Sequence, residues 1–416
     1  MPTRPLLSRL PVPPGIAGVD AVLPALAAAL AGSGPPVAPV PMASAAVSTS
    51  YVAAVLAAVR PDDRSAPLER DDVAVVLSTS GSTGDPRGVL LPARALTAMC
   101  AAANAMPDGG PGTPLWIVAL PVTSMGGLNV LVRALASGVA PVALPSLGGA
   151  EPFTPGAFAA AVGVARSRSS DVRVSLVPAQ VARLLADDDG VAGLRGCTRI
   201  LVGGGPLRPS LRSIAAGLGI DLTATYGSTE TAGGCVFDGT PLPGVTVGVE
   251  GEREPGRLVI EGPCLALGYR GAPELTAQCF VDGRFRTSDL GTVSQDGTVA
   301  VLGRIDDVVV VKGVNVSPAA VERVIEDLPD VAAAAVVAPV IGGEPSLHAF
   351  IEARDAAEGL AGLVEAAVED RLGRAARPAR VWPIDRLPYL PNGKVDRKRL
   401  EAWATGPGRA GAGAGE

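Results

Sequence analysis

Val73-Ala-Val-Val-Leu77 runs directly into Ser78-Thr-Ser-Gly-Ser-Thr-Gly-Asp-Pro-Arg-Gly88, and this junction decides the fold. A short β-branched apolar run closed by a glycine-rich stretch reads as a buried strand ending in a loop. Gly81 and Gly84 let the backbone turn sharply and bring its N–H groups close to anionic oxygens, Ser80, Ser82 and Thr83 add neutral donors, and Arg87 adds positive charge. The stretch therefore predicts a phosphate cradle at the end of a strand, suited to a nucleoside triphosphate. It is no Walker loop, because the only lysines are Lys312, Lys394 and Lys398, none preceded by the required glycine spacing. The dinucleotide fingerprint also fails, since Pro206 and Leu207 follow Gly203-Gly-Gly205.

Working outward, β-rich runs alternate with helical spacing from Val73 to Tyr226. Strands are expected at Leu115–Leu120, Val139–Leu144, Val172–Val177, Arg199–Val202 and Asp221–Thr225. Helices are expected at Gly127–Ala136, Pro178–Leu185 and Val191–Leu194. Such alternation implies an α/β layered core whose ligand loops leave the C-terminal ends of strands, as the loops after Leu77 and Val202 do. After residue 240 the texture becomes β-rich, with strands at Gly256–Ile260, Gly283–Arg286 and Asp296–Leu302. A compact α+β module follows: Ser317 and Pro318 open a helix Ala319–Leu328, then come two strands, a helix near Glu358–Leu372 and a strand near Ala379–Ile384. The expected organisation is a large domain over residues 1–303, a small C-terminal domain over 304–405 and a disordered Gly/Ala tail over 406–416.

Composition narrows the function. A chain of 416 residues exceeds what one core supports, and a net charge of −6 without basic blocks argues against nucleic acid. The hydrophobic share is 48%, yet no apolar run approaches the ~20 residues of a membrane span. Prolines break the N-terminal apolar segment where a signal peptide needs continuity, so a cytoplasmic protein is expected. Five scattered cysteines and one histidine, His348, supply neither a zinc cluster nor a Ser-His-Asp triad. His348 lies in the apolar stretch Leu347–Ile351 and reads as a strand residue.

Four further segments follow the loop in order: Thr225-Tyr-Gly-Ser-Thr-Glu230; Arg286-Thr-Ser-Asp-Leu-Gly291; Gly303-Arg-Ile-Asp-Asp307 with Lys312-Gly-Val-Asn-Val316; and Pro391-Asn-Gly-Lys-Val-Asp-Arg397. Across residues 72–400 they resemble the core motifs of the adenylate-forming (AMP-binding, acyl-CoA synthetase-like) superfamily. Within it, residues 226–242 and 175–185 are most similar to the short actinobacterial o-succinylbenzoate–CoA ligases. The early start of the loop fits members with a shortened N-terminal subdomain.

The resemblance implies ATP-dependent activation of a carboxylic acid through an acyl adenylate, then transfer to the thiol of CoA, in menaquinone biosynthesis. A carboxylate acylates poorly because oxide is a poor leaving group, and joining it to AMP removes that obstacle. By resemblance, Glu230 and Thr83 would hold Mg²⁺, Thr229 would bind the α-phosphate, and Asp289 and Arg304 would meet the ribose. Gly204, Gly205, Tyr226 and Gly227 would frame the nucleotide, and Lys394 would bridge carboxylate and α-phosphate. The C-terminal domain would turn about Asp306 to bring Lys312 and Gly313 towards CoA. Thr123, Ser124, Gly127, Val177, Ser228 and Gly234 would surround the acyl group. In a chain that otherwise uses arginine for nearly every basic position, a retained Lys394 independently suggests a need for a compact ammonium.

Thr123 and Ser124 depart from the pattern, standing where the family often carries histidine or an aromatic residue, and Ala182 replaces a larger polar residue. Both leave the acid open. The alternatives are another aromatic or small carboxylic acid, a carrier protein in place of CoA, or a non-catalytic nucleotide- or acyl-adenylate-binding protein. No membrane partner is expected, and a homodimer is left open.

Overall fold

The computed structural model describes residues 6–406 apart from 64, 80–85, 105, 107–111, 252–253, 312, 329–330, 354–358 and 390–394. The mixed α/β architecture expected from the sequence is present. Seven strands form the central sheet in the order Thr240–Pro241, Gly233–Phe237, Thr223–Ser228, Arg199–Val202, Val172–Leu176, Leu115–Val118, Val142–Ala143. The five from Thr223–Ser228 to Val142–Ala143 run parallel, and the first two return antiparallel. Helices Met125–Ser137, Pro155–Arg166, Pro178–Leu185 with Asp188–Arg195, and Pro209–Gly217 make the crossovers that parallel pairing requires. Arg199–Val202 has its expected bounds, whereas Val139–Leu144 shrinks to two residues at the sheet edge, where only one neighbour supplies a ladder.

A second sheet carries the decisive junction. Its strands Ser8–Val12, Val37–Pro41 and Val73–Ser78 are parallel, and Gly88–Pro92 pairs back antiparallel on the last. Val73–Leu77 is buried at every residue, each large side chain contributing about 1.5–3 kcal/mol of apolar transfer. The two N-terminal strands, and helices Ile16–Leu30 and Thr49–Val59, lie ahead of the segment whose alternation predicts the core. Val37-Ala-Pro-Val-Pro41 carries prolines that argue against a central strand. Met42 N donates to Val12 O, which places the N–H groups of even-numbered residues on the Ser8–Val12 side. Pro39 and Pro41 then lack donors only towards Val73–Ser78, and the register there is reduced to the single pair Val37–Val75.

A third, antiparallel sheet contains Thr246–Glu250, Gly256–Glu261, Arg284–Val293 and Phe280–Val281, with Val299–Arg304 paired to Arg284–Val293. The last region builds its own cores from Val316 onward. Helix Pro318–Glu326 opens as expected, with Ser317 Oγ accepting from Ala320 N at 3.4 Å. It packs with helix Leu360–Leu372 on the three-stranded sheet Val331–Val337, His348–Ala353, Arg380–Ile384, which places His348 in a strand. Among the described residues the hairpin Val309–Val311/Val314–Val316 forms a separate two-stranded sheet.

Candidate active site

The site lies where the first two sheets present strand ends to the third. At the end of Val73–Ser78, Thr79 N donates to Arg87 O at 2.8 Å and Arg87 N donates to Thr79 Oγ1 at 3.2 Å, zipping together the two legs of the glycine-rich loop. Ser80, Gly81, Ser82, Thr83 and Gly84 lie outside the described residues. The Arg87 guanidinium sits 6.0 Å from the Tyr269 ring centroid, and the Tyr269 hydroxyl donates to Glu230 Oε1 at 3.0 Å. Burial, then the Glu230 charge, pushes the Tyr269 phenol well above its ordinary pKa, so it remains a donor.

Tyr269 was missed in the sequence because it belongs to none of the quoted motifs. One signal was available: Tyr226 and Tyr269 are two of only four tyrosines in the chain. Residues 266–270 hold Tyr269 by running along Gly88–Pro92, with Leu267 N donating to Leu90 O, Leu90 N to Gly268 O and Arg270 N to Gly88 O, each at 2.8–2.9 Å. Ala266 N donates to Glu230 O at 2.8 Å, tying the same segment to the Glu230 backbone.

Thr223–Ser228 delivers Tyr226, Gly227 and Ser228 to the opening, and Thr229 and Glu230 begin the short turn Thr229–Thr231. A Cβ at Gly227 would stand 2.0 Å from Gly233 O, so no side chain fits where the strand meets its return. The turn is held from inside: Ser228 N donates to Thr231 Oγ1 at 2.9 Å, Thr231 Oγ1 donates to Gly233 O at 2.8 Å, and buried Asn129 donates from Nδ2 to Ala232 O at 2.9 Å. Asn129 thus couples helix Met125–Ser137 to the Glu230 turn. The Ser228 hydroxyl is buried and has no partner among the described residues, leaving a donor for a ligand.

A second group forms beside it. Tyr226 OH donates to Asp289 Oδ2 at 2.7 Å, and burial followed by the Asp289 charge raises the Tyr226 phenol strongly. Asp289 and Arg304 are register partners on adjacent strands, with Arg304 Nη1 3.7 Å from Asp289 Oδ1. Arg304 also donates to Asp306 from Nε at 2.9 Å and from Nη2 at 2.6 Å, so the expected ribose residues and the expected hinge share one cation.

Gly204 and Gly205 are exposed in the loop after Arg199–Val202, and Val177 is buried beside Gly204. Gly234 faces the Thr225 side chain on the neighbouring strand. Gly127 packs its α-carbon against Pro121, where a Cβ would stand 2.2 Å from Pro121 O. Ser124 Oγ is spent on Pro121 O at 2.7 Å, and Thr123 borders an apolar cavity of about 30 Å³, room for a single water rather than an aromatic acid. Gly313 sits on the separate Val309–Val316 hairpin, and Lys312 and Lys394 lie outside the described residues.

A carboxylate held by a phenol, beside the base of a glycine-rich loop and a hydroxyl-bearing turn, suits a magnesium nucleotide. Among the described residues no cluster of three metal-ligating side chains occurs, and a single carboxylate fits Mg²⁺ that takes its remaining ligands from phosphates and water. The family model described as AMP-binding enzyme matches residues 21–270, more than half of the chain. The chain belongs to the AMP-binding enzyme family. This bears out the superfamily expected from the ordered motifs. The chain is 36% identical over 408 residues to "Probable 2-succinylbenzoate--CoA ligase" of Mycobacterium tuberculosis (strain ATCC 25618 / H37Rv), covering 94% of this chain and 97% of the relative. It is 30% identical to the fatty acid–[acyl-carrier-protein] ligase ScoC of Streptomyces coeruleorubidus, over 88% of this chain and 74% of the relative. Its fold matches o-succinylbenzoate CoA synthetase from Bacillus subtilis, solved with the acyl-adenylate intermediate, at a TM-score of 0.71 and 22% identity, over 96% of this chain and 89% of that one. No helix among the described residues of this family member is long and apolar enough to cross a membrane.

Proposed function

We propose that this chain is an ATP-dependent 2-succinylbenzoate–CoA ligase acting in the cytoplasm. The observation that carries the reading is the near end-to-end correspondence with the M. tuberculosis relative, covering 94% of this chain and 97% of that one. The site geometry supports it. In the first step a carboxylate oxygen attacks the α-phosphorus, the bond to pyrophosphate breaks, and an acyl adenylate forms. In the second, a thiolate attacks the acyl carbon and AMP leaves with the electron pair. Both steps develop charge on phosphoryl oxygens, and positioning with fixed charge neutralisation supplies most of the acceleration.

Glu230, oriented by Tyr269, would hold Mg²⁺ together with Thr83, and the ion would supply charge neutralisation at the phosphates. Thr229 meets the α-phosphate, while Ser80, Ser82 and Arg87 meet the leaving phosphates. Asp289 accepts from the ribose hydroxyls beside Arg304, and Tyr226, Gly204 and Gly205 frame the adenine. Lys394 bridges carboxylate and α-phosphate. The C-terminal domain turns about Asp306, which Arg304 holds in the present arrangement, to bring Lys312 and Gly313 towards CoA. Ser228 supplies the free hydroxyl to the acyl group, with Val177, Gly127 and Gly234 as walls.

The 30% identity to ScoC supports a second reading, transfer to a carrier-protein thiol. A mass-spectrometric screen of carboxylic acids with ATP, Mg²⁺ and either CoA or a holo-carrier protein decides. 2-Succinylbenzoyl-CoA is the expected product. Acyl-carrier product without acyl-CoA overturns the acceptor, another acyl-CoA overturns the acid, and no AMP from any acid overturns catalysis.

A further inference from the structure

Arg208 carries a contact between the two parts of the chain that no expected function used. It closes the Gly203–Leu207 loop and stands at the N-cap of helix Pro209–Gly217, yet its side chain makes no capping bond. Its guanidinium instead reaches the C-terminal domain. Arg208 Nε lies 3.3 Å from Glu326 Oε1, and Nη1 donates to Ala332 O. The pair is enclosed, the two side chains being 13% and 12% exposed.

Further groups converge on the same notch. Glu326 Oε1 also accepts from Ala334 N at 3.4 Å. Glu352 and Tyr389 lie close enough for the Arg208 charge to act on both. Burial pushes both carboxyls up, Glu326 to about 7, and Arg208 opposes that rise in each. A notch with two desolvated carboxylates is therefore built around a cation that belongs to the other domain. Arg323, which donates to Val301 O at 3.5 Å, makes by comparison an exposed contact with no carboxylate partner at that carbonyl.

We infer that Arg208 is a positioning residue for the adenylation step: by entering the Glu326–Ala332–Glu352 notch it seats the C-terminal domain against the nucleotide loop. The inference rests on the two-step reading proposed above. A buried pair split between two moving bodies suits such a role. When the bodies part, both charges regain water, so desolvation offsets much of the Coulombic gain and the contact remains reversible. Removal of one partner leaves the other stranded in the docked arrangement alone, which biases the equilibrium away from docking.

The test measures the half-reactions separately on the full chain with 2-succinylbenzoate. ATP–pyrophosphate exchange reads adenylation, and acyl-CoA formed from presynthesised acyl adenylate reads transfer. Arg208→Ala is expected to lower kcat for exchange at least about tenfold while ATP KM shifts less than about threefold and transfer changes less than about twofold. The double variant Arg208→Glu with Glu326→Arg should recover part of the loss that each single change causes. Small-angle scattering with AMP bound reads docking without turnover, and Arg208→Ala should give a larger radius of gyration than the native chain. Equal losses in both half-reactions, a loss confined to ATP KM, or unchanged exchange and scattering would overturn the assignment. A native chain inert in exchange sinks the two-step reading, and the scattering comparison then decides the docking contact by itself.

Discussion

Tyr269 donates its phenolic hydrogen to Glu230 Oε1 at 3.0 Å from a segment 39 residues further along the chain, and it faces the Arg87 guanidinium on its ring. Glu230 could rotate freely at the start of a three-residue turn. Tyr269 fixes one carboxylate oxygen, and no hydrogen bond among the described residues takes the other.

Tyr269→Phe therefore removes orientation without removing charge. A hydrogen bond to a charged acceptor contributes about 1.5–3 kcal/mol, so the Mg²⁺ concentration for half-maximal exchange should rise by about tenfold or more. Glu230→Gln, a poorer hard-cation ligand, should be worse. The check is a magnesium titration of ATP–pyrophosphate exchange on variants whose melting temperatures match the native chain. Unchanged magnesium dependence in Tyr269→Phe would reject the orienting role, and in Glu230→Gln the ligand role.

The strand-turn-strand return at Gly227 yields a stability prediction. A Cβ at Gly227 meets the backbone oxygen of Gly233 at 2.0 Å, and neither strand can step aside without breaking the Thr223–Ser228 ladder. Gly227→Ala should cost several kcal/mol or abolish soluble expression, in line with other overpacked sites. Gly217→Ala is the control: nothing lies within 4 Å of its Cβ position, and it ends helix Pro209–Gly217. There alanine should be neutral or stabilising by roughly 0.5–1 kcal/mol. Urea unfolding of both variants tests the contrast.

The sequence was legible where one local rule governed. Val73–Leu77 and Arg199–Val202 are short apolar runs with glycine-rich exits, and each became a buried strand feeding the site. Ser317-Pro318 announced a helix because hydroxyl cap and fixed proline φ act within one turn. Val37–Pro41 was illegible because its prolines are tolerated only through a ladder cut to one register pair, a fact of pairing rather than of the strand itself. Tyr269, Asn129 and Arg208 were illegible for a related reason. Each acts on a residue from 39 to 124 positions away, and no spacing encodes such a distance.

Lys394 carries the bond-making step in the proposed mechanism, and its removal separates the two half-reactions. Lys394→Ala should lower adenylation by several orders of magnitude while thioester formation from supplied acyl adenylate changes little. Rapid-quench measurement of each half-reaction supplies the comparison, with ATP binding measured by calorimetry. Near-native adenylation would take this lysine out of the mechanism, and parallel losses in both steps would make it a structural residue of the C-terminal domain.

His348, the only histidine, gives the C-terminal domain a pH signature. Its side chain is buried on the strand His348–Ala353, Nδ1 accepts from Trp382 Nε1 at 3.2 Å, and the ring stacks on Trp382. Burial, then the nearby Arg380 charge, holds the imidazole below its ordinary pKa of 6.5. The folded state thus stays neutral while the unfolded chain takes up a proton, so stability is fully present above about 6.5 and falls as pH drops below it. Glu326, raised to about 7, works in the opposite sense, since it binds its proton more readily when folded. The difference between native chain and His348→Gln, which keeps an acceptor for Trp382, isolates the histidine. The native chain should lose more melting temperature than the variant between pH 7 and 5, and its single imidazole NMR resonance should titrate with a midpoint below 6.5. Identical pH slopes, or a midpoint at or above the free value, would show an imidazole that protonates in place without cost to the fold.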